Sequence, residues 1–260
     1  MDLRGRVALV TGGAGGIGSA AADAIAELGG SVAILDLAPN RCEEAAARIA
    51  DLHGVETVGV PIDLEVEDEV RRSVSLVEQR FGRLDILIHC AALVGTSGLE
   101  GWAVPFSEQK SDTWRRALEI NLTAPFILTQ EAAPLLKASG SGSVIMVGSI
   151  YGVAGPDWSL YEGSGLGNPA AYAASKGGLL QLTRWLATTL APEARVNSVS
   201  PGGVYRGHTD PFLSRYTRKV PLGRMASEED LKGAIAYLAS DASLYVTGAQ
   251  LIVDGGVTVM

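Results

Sequence analysis

The sequence predicts an α/β fold: one doubly wound parallel sheet with helices on both faces, spanning residues 1–260 as a single domain. Three features carry that expectation. Short apolar, β-branched stretches alternate with longer stretches of helical spacing. The first apolar stretch runs directly into a glycine-rich turn, residues 12–18, followed by a helix of small residues. The second ends at Asp36, eighteen positions beyond Gly18. No linker, internal repeat or low-complexity run divides the chain.

The composition agrees with this class and excludes others. Hydrophobic residues make up 47% and charged residues 19%, with 32 glycines, a balance incompatible with disorder. A net charge of −8 without a basic patch argues against a nucleic-acid partner and leaves small molecules as the expected ligands. No apolar run approaches the length of a membrane span, and the first residues lack a signal-peptide layout. No membrane partner and a cytoplasmic localisation are therefore expected. Cys42, on a surface helix, and Cys90, at the end of a buried strand, do not make a disulfide framework. His53, His89 and His208 have no metal-ligand spacing, so no metal is expected.

In chain order, residues 6–10 read as the first strand. The glycines after it permit backbone conformations closed to other residues and let a pyrophosphate approach the N–H groups at a helix N-terminus. Gly12, Gly16, Ile17 and Gly18 are the candidate contacts. Residues 31–35 form a second strand whose terminal Asp36 can accept hydrogen bonds from both hydroxyls of an adenosine ribose while repelling a 2′-phosphate. That favours NAD over NADP, with Arg41 as the one nearby cation. Residues 55–62 give a third strand closing on Asp63 and Leu64 near the adenine edge, and 66–81 its helix. Residues 84–88 give a fourth strand leading to His89-Cys90-Ala91-Ala92, where small residues let a ligand come close at Ala91. A long helical stretch, 107–138, contains Asn121 among apolar neighbours, either a helix-distorting residue or part of a polar relay. The fifth strand, 143–147, ends beside Ser149. Residues 227–239 open on a serine cap as a late helix, and 250–253 read as the last strand.

The chemistry centres on residues 169–190, read as one helix in which Tyr172 and Lys176 stand four apart on one face. At an effective dielectric near 20 and about 5 Å, the ammonium would favour the phenolate by roughly 3 kcal/mol, about two pKa units. A phenol tuned that way is an acid/base group.

Taken in order, Thr11-Gly12-x3-Gly16-x-Gly18, Asp63, Asn121, Ser149, Tyr172-x3-Lys176, Pro201-Gly202 and the closing Val253-Asp254-Gly255-Gly256 resemble the short-chain dehydrogenase/reductases in their compact, single-domain Rossmann form. The resemblance implies that Tyr172 is the general acid/base. Lys176 would lower its pKa and hold the nicotinamide ribose, Ser149 would position the substrate oxygen, and Asn121 would support a water-linked relay to Lys176. Pro201, Gly203 and Val204 would approach the nicotinamide, and the assembly would be a homotetramer. The chain departs from the family pattern at His89-Cys90 in place of two asparagines, and at Arg206 where a threonine is common after Pro-Gly. Ser149 and Tyr172 are also unusually far apart, 23 positions.

The extra residues, 156–169, must border the substrate. Trp158, Tyr161 and Asn168 among them could stack on and hydrogen-bond to a polyhydroxylated ring. Arg206 could hold a carboxylate or phosphate. The flanks of the insertion resemble members associated with flagellin-glycan and nonulosonic-acid sugar synthesis. The expected activity is NAD-dependent hydride transfer to or from a secondary alcohol or ketone of a sugar, sugar derivative or polyol. The alternatives are a 3-oxoacyl thioester or hydroxysteroid substrate, or a non-catalytic NAD-binding regulator.

Overall fold

The strands β1 (Val7–Thr11), β2 (Ser31–Asp36), β4 (Ile86–His89), β5 (Gly142–Val147) and β6 (Ala194–Pro201) are buried at nearly every position. Continuous rather than alternating apolar runs are what a sheet covered on both faces demands. With β3 (Thr57–Pro61) and β7 (Gln250–Val253), they form a seven-stranded parallel sheet in the order β3-β2-β1-β4-β5-β6-β7. The computed structural model describes residues 1–260. Successive side chains of β1 feed two cores: Ala8 and Val10 pack with helices α1 (Gly16–Glu27), α2 (Pro39–His53) and α8 (Lys232–Ala239). Val7 and Leu9 pack with α3 (Glu67–Phe81), α5 (Ala124–Ala138) and α6 (Ala170–Leu190) on the opposite face. Two shorter helices, α4 (Ser111–Leu118) and α7 (Phe212–Lys219), flank the carboxyl edge of the sheet. No helix is long and apolar enough to cross a membrane.

The strand order reverses between β1 and β4, and the glycine turn lies at that reversal, where an open parallel sheet forms a crevice. Close packing dictates its glycines. A Cβ on Gly18 would stand 2.0 Å from the Gly12 carbonyl oxygen, and one on Gly12, whose φ is +63°, would stand 2.8 Å from the Ala91 Cα. The turn is thus pressed between α1 and the loop after β4.

The expected elements are present with edges shifted by a residue or two, and three differences have physical causes. The helical stretch 107–138 is not continuous. A 3-10 turn, Phe106–Glu108, precedes α4, and a π-helical turn, Glu119–Thr123, joins α4 to α5. The distortion carries Asn121, 1% exposed, towards two neighbouring elements. Its Oδ1 accepts from the Leu93 N–H (2.7 Å), and its Nδ2 donates to the Leu93 carbonyl (3.1 Å) and the Ser175 hydroxyl (3.0 Å). Secondly, 227–239 divides into a 3-10 turn, Glu228–Leu231, closed by a Ser227–Asp230 capping box, followed by α8. Thirdly, Cys42 lies on α2 but faces inward with Ala46 and Ile49 and is fully buried.

Replacing Asn121 by alanine strips the Leu93 peptide of both side-chain partners and should cost about 2–3 kcal/mol in urea unfolding. An unchanged midpoint and slope would show that this clamp carries no weight.

Candidate active site

A single cleft of about 560 Å³ runs along the carboxyl edge of the sheet. Its floor is built from strand ends: Thr11 at the end of β1, Asp36 at the end of β2, Asp63 and Leu64 beyond β3, Ala91 beyond β4, Ser149 beyond β5 and Pro201 at the end of β6. Gly12, Gly16, Ile17, Gly18, Tyr172, Lys176, Gly203 and Val204 complete the expected set along its walls. Asn121 does not line the cleft; it holds the cleft's Leu93 loop against α6 from behind.

At one end, the Asp36 carboxylate accepts from the Ala14 N–H (3.2 Å) and the Leu37 N–H (2.9 Å), which fixes it beside the glycine turn. Arg41 reaches the same place, its guanidinium donating to the Ala14 carbonyl at 2.6 Å. The Thr11 hydroxyl accepts from the N–H groups of Cys90 and Ala91 at 3.1 and 3.2 Å, tying the loop after β4 to β1. This arrangement accounts for the unusual His89-Cys90 pair. His89 turns away from the cleft to Thr129 Oγ1 (2.9 Å), whose own proton goes to the Pro125 carbonyl (2.7 Å). The histidine must therefore donate from Nε2. Burial lowers its pKa to about 3 and raises that of the Cys90 thiol to about 12, so both stay neutral.

Mid-cleft, α6 presents Tyr172 and Lys176 one turn apart. The Lys176 ammonium, 3% exposed, donates to the Val147 carbonyl at 2.7 Å and stands 5.9 Å from the centre of the Tyr172 ring. Burial brings the Lys176 pKa down to about 8. The Tyr172 phenol lies above its ordinary value: burial outweighs the opposing effects of the Ser149 hydroxyl and of the Arg206 charge. The two-unit depression expected from an isolated tyrosine–lysine pair is absent, because desolvation of the phenol prevails. The Ser149 Oγ accepts from the Tyr151 N–H at 3.1 Å, which leaves its own proton available to the cleft.

The far wall comes from the insertion and from α7. Tyr161 and Asn168 line the cleft, and the Tyr161 hydroxyl meets that of Tyr151 at 2.6 Å. Trp158 does not line it. That ring is 57% exposed and packs against the outer side of Tyr161, with centroids 5.7 Å apart. Leu160 is buried with Phe212, Tyr216, Val220 and Met225, while Arg215 donates to the Ser159 and Glu162 carbonyls, so α7 pins the insertion in place. Arg206 lies not beside the insertion but over the glycine turn, 3.7 Å from the Glu228 carboxylate.

The residues fit a dinucleotide. Gly16 carries no side chain, and what a Cβ there would meet is two side-chain ends, those of Glu228 and Arg206, rather than backbone. The α1 N-terminus supplies N–H donors there, and Asp36 sits where a ribose would follow.

A short-chain dehydrogenase family model, described as enoyl-(acyl carrier protein) reductase, matches residues 12–258. The chain belongs to the short-chain dehydrogenase/reductase family. Among its relatives in this family, cis-4-hydroxycyclohexanecarboxylate dehydrogenase of Sinomonas cyclohexanicum is 36% identical over 258 residues, covering 97% of this chain and 96% of the relative. Sorbose reductase sou1 of Schizosaccharomyces pombe is 35% identical over 263 residues, covering 98% and 96%. The crystal structure of the NADPH-dependent 3-quinuclidinone reductase of Rhodotorula rubra superposes with a TM-score of 0.85 at 34% identity, covering 100% of this chain and 93% of that one.

Within this short-chain dehydrogenase/reductase, sequence reading missed Tyr151, Phe212 and Tyr216, which line the cleft, and Glu228, whose carboxylate lies beside Gly16. Phe212 and Tyr216 stand four apart, a spacing that would have put them on one helix face. Nothing in the local sequence marks Glu228, because its target is the remote Gly16.

The folded-state pKa of Lys176, about 8, lies below its ordinary 10.5. The unfolded chain therefore binds the extra proton between these values, and the cost of burying the ammonium fades as pH rises through that window. In denaturant titrations, the stability difference between wild type and Lys176→Met should shift in favour of the wild type as pH rises from about 8 to 10.5. A difference independent of pH would contradict the assigned burial.

Proposed function

We propose that the protein is an oxidoreductase transferring a hydride between NAD and the carbinol or carbonyl carbon of a polyol or hydroxylated alicyclic compound. The observation that carries the reading is the convergence of Ser149, Tyr172 and Lys176 on the same cleft as the glycine turn and Asp36. A bound nicotinamide would supply the hydride acceptor or donor. The chain supplies the rest: Tyr172 moves the hydroxyl proton, Ser149 donates to the substrate oxygen, and Lys176 holds the ribose while adding positive charge near the phenol. Asn121 keeps the Leu93 loop in register with α6, next to a water-linked path towards Lys176.

NAD is favoured because Asp36 faces the ribose position, where a 2′-phosphate would meet a carboxylate. Arg41 beside it supports residual NADP use. The substrate class rests on Tyr151, Tyr161 and Asn168 on the far wall and on the hydroxycyclohexanecarboxylate and sorbose enzymes among the relatives. The nonulosonic-acid branch draws no support from those relatives. An acyl-thioester reductase is the second reading, favoured by the description of the matching family model. A homotetramer is proposed on family grounds, supported by exposed Trp114, Phe126 and Trp185 on α4, α5 and α6 and by Leu251 and Ile252 on β7.

Tyr172→Phe should keep dinucleotide affinity within a factor of about two while turnover on any accepted cyclic alcohol or ketose falls by at least about a hundredfold. Near wild-type turnover would sink the proposal. Because the phenol stands above its ordinary pKa, it is protonated at neutral pH and suited to donate. Carbonyl reduction should therefore hold steady through neutral pH while alcohol oxidation climbs with pH into the alkaline range; oxidation fastest under acid conditions would exclude Tyr172 as the base.

A further inference from the structure

The turn Glu228–Leu231 is rigidly built. The Asp230 carboxylate accepts from the Ser227 N–H (2.7 Å) and pairs with Arg224 (2.6 Å), and Lys232, one residue beyond, pairs with Glu27 and so docks this segment on α1. From that fixed base, Glu228 extends its carboxylate over the glycine turn. Its Oε1 lies 2.6 Å from the point where a Cβ on Gly16 would stand, and Arg206 Nη2 lies 3.3 Å from the same point. Neither charged group makes a side-chain hydrogen bond elsewhere. Their only ionic partner is each other, loosely, at 3.7 Å.

A carboxylate is thus held at a helix N-terminus whose donors suit an anionic ligand. Arg206 belongs to the loop after β6 and lies close enough to Tyr172 for its charge to act on the phenol. The guanidinium lines the same cleft as the turn and the acid/base group.

We propose that Glu228 and Arg206 form a charge-exchange latch over the glycine turn: Glu228 stands in for the cofactor diphosphate, and Arg206 passes from Glu228 to the diphosphate when the dinucleotide binds. The proposal rests on the dinucleotide reading of the cleft and reassigns Arg206 from substrate to cofactor. The loop carrying Arg206 also carries His208 and leads into α7, which holds the insertion. Diphosphate binding is thereby linked to the wall that faces the substrate. A diphosphate entering this site must displace one negative charge and gains one positive charge in return, so the two residues act on affinity in opposite directions.

The test measures the Kd of ADP-ribose, which carries the diphosphate without the nicotinamide, by calorimetry on the full chain, with adenosine as the ligand lacking phosphate. Glu228→Gln should bind ADP-ribose about three- to tenfold more tightly, and Arg206→Gln about tenfold or more loosely, with adenosine affinity unchanged in both. The glutamate makes no hydrogen bond, so Glu228→Gln should also unfold at the wild-type temperature. Wild-type affinity for ADP-ribose in both variants, or equal shifts for adenosine and ADP-ribose, would overturn the latch while leaving the dinucleotide reading intact. Failure of the wild type to bind ADP-ribose at all would overturn both.

Discussion

The site depends on one buried cation. Lys176 has a nearly inaccessible ammonium whose hydrogen bond to the Val147 carbonyl joins the middle of α6 to the end of β5. Burying that charge is costly, as its lowered pKa shows, and the cost is tolerated only because the carbonyl and the open cleft share it. In return, the contact sets Tyr172, one turn earlier on α6, against Ser149, two residues beyond Val147. The placement of these two hydroxyls therefore follows from a single helix-to-strand attachment.

The sheet decides everything else about the location. Parallel strands send every carboxyl end to the same rim, so Thr11, Asp36, Asp63, Ala91, Ser149 and Pro201 meet there although they lie far apart in the chain. The reversal of strand order beside β1 opens the crevice, and the close approach of Gly12 to Ala91 and of Gly18 to Gly12 keeps it narrow. The far wall is attached to this frame by α7, so the insertion that distinguishes the chain is a folded part of the cleft on its inner side and plain surface on its outer side.

Much of this was legible in the sequence because it is local. A strand, a glycine turn and an acidic strand end are written in consecutive residues, and so is the four-residue spacing of Tyr172 and Lys176. Asn121 was recognisable as a polar residue needing partners, but not the π turn that brings it to Leu93 and Ser175, since both lie remote in sequence. Trp158 and Tyr161 looked equivalent, yet only Tyr161 faces inward, because the turn Trp158–Leu160 buries Leu160 beneath α7 and rolls the tryptophan outward. The place of Arg206 over the glycine turn was not legible for the same reason: its neighbour there is Glu228, whose docking on α1 is a tertiary fact. The direction of the Tyr172 pKa was also inaccessible, since spacing reports the neighbouring charge but not the desolvation that outweighs it.

The central claim is that a nicotinamide and an alcohol carbon meet at Tyr172. It is tested most directly by incubating the protein with NADH deuterated at C4 and a panel of cyclic ketones, oxocyclohexanecarboxylates and ketoses, then locating the label by mass spectrometry. The account requires one deuteron on the new carbinol carbon of at least one product, delivered from one face of the nicotinamide. Tight NADH binding with no label transferred to any carbonyl would contradict it.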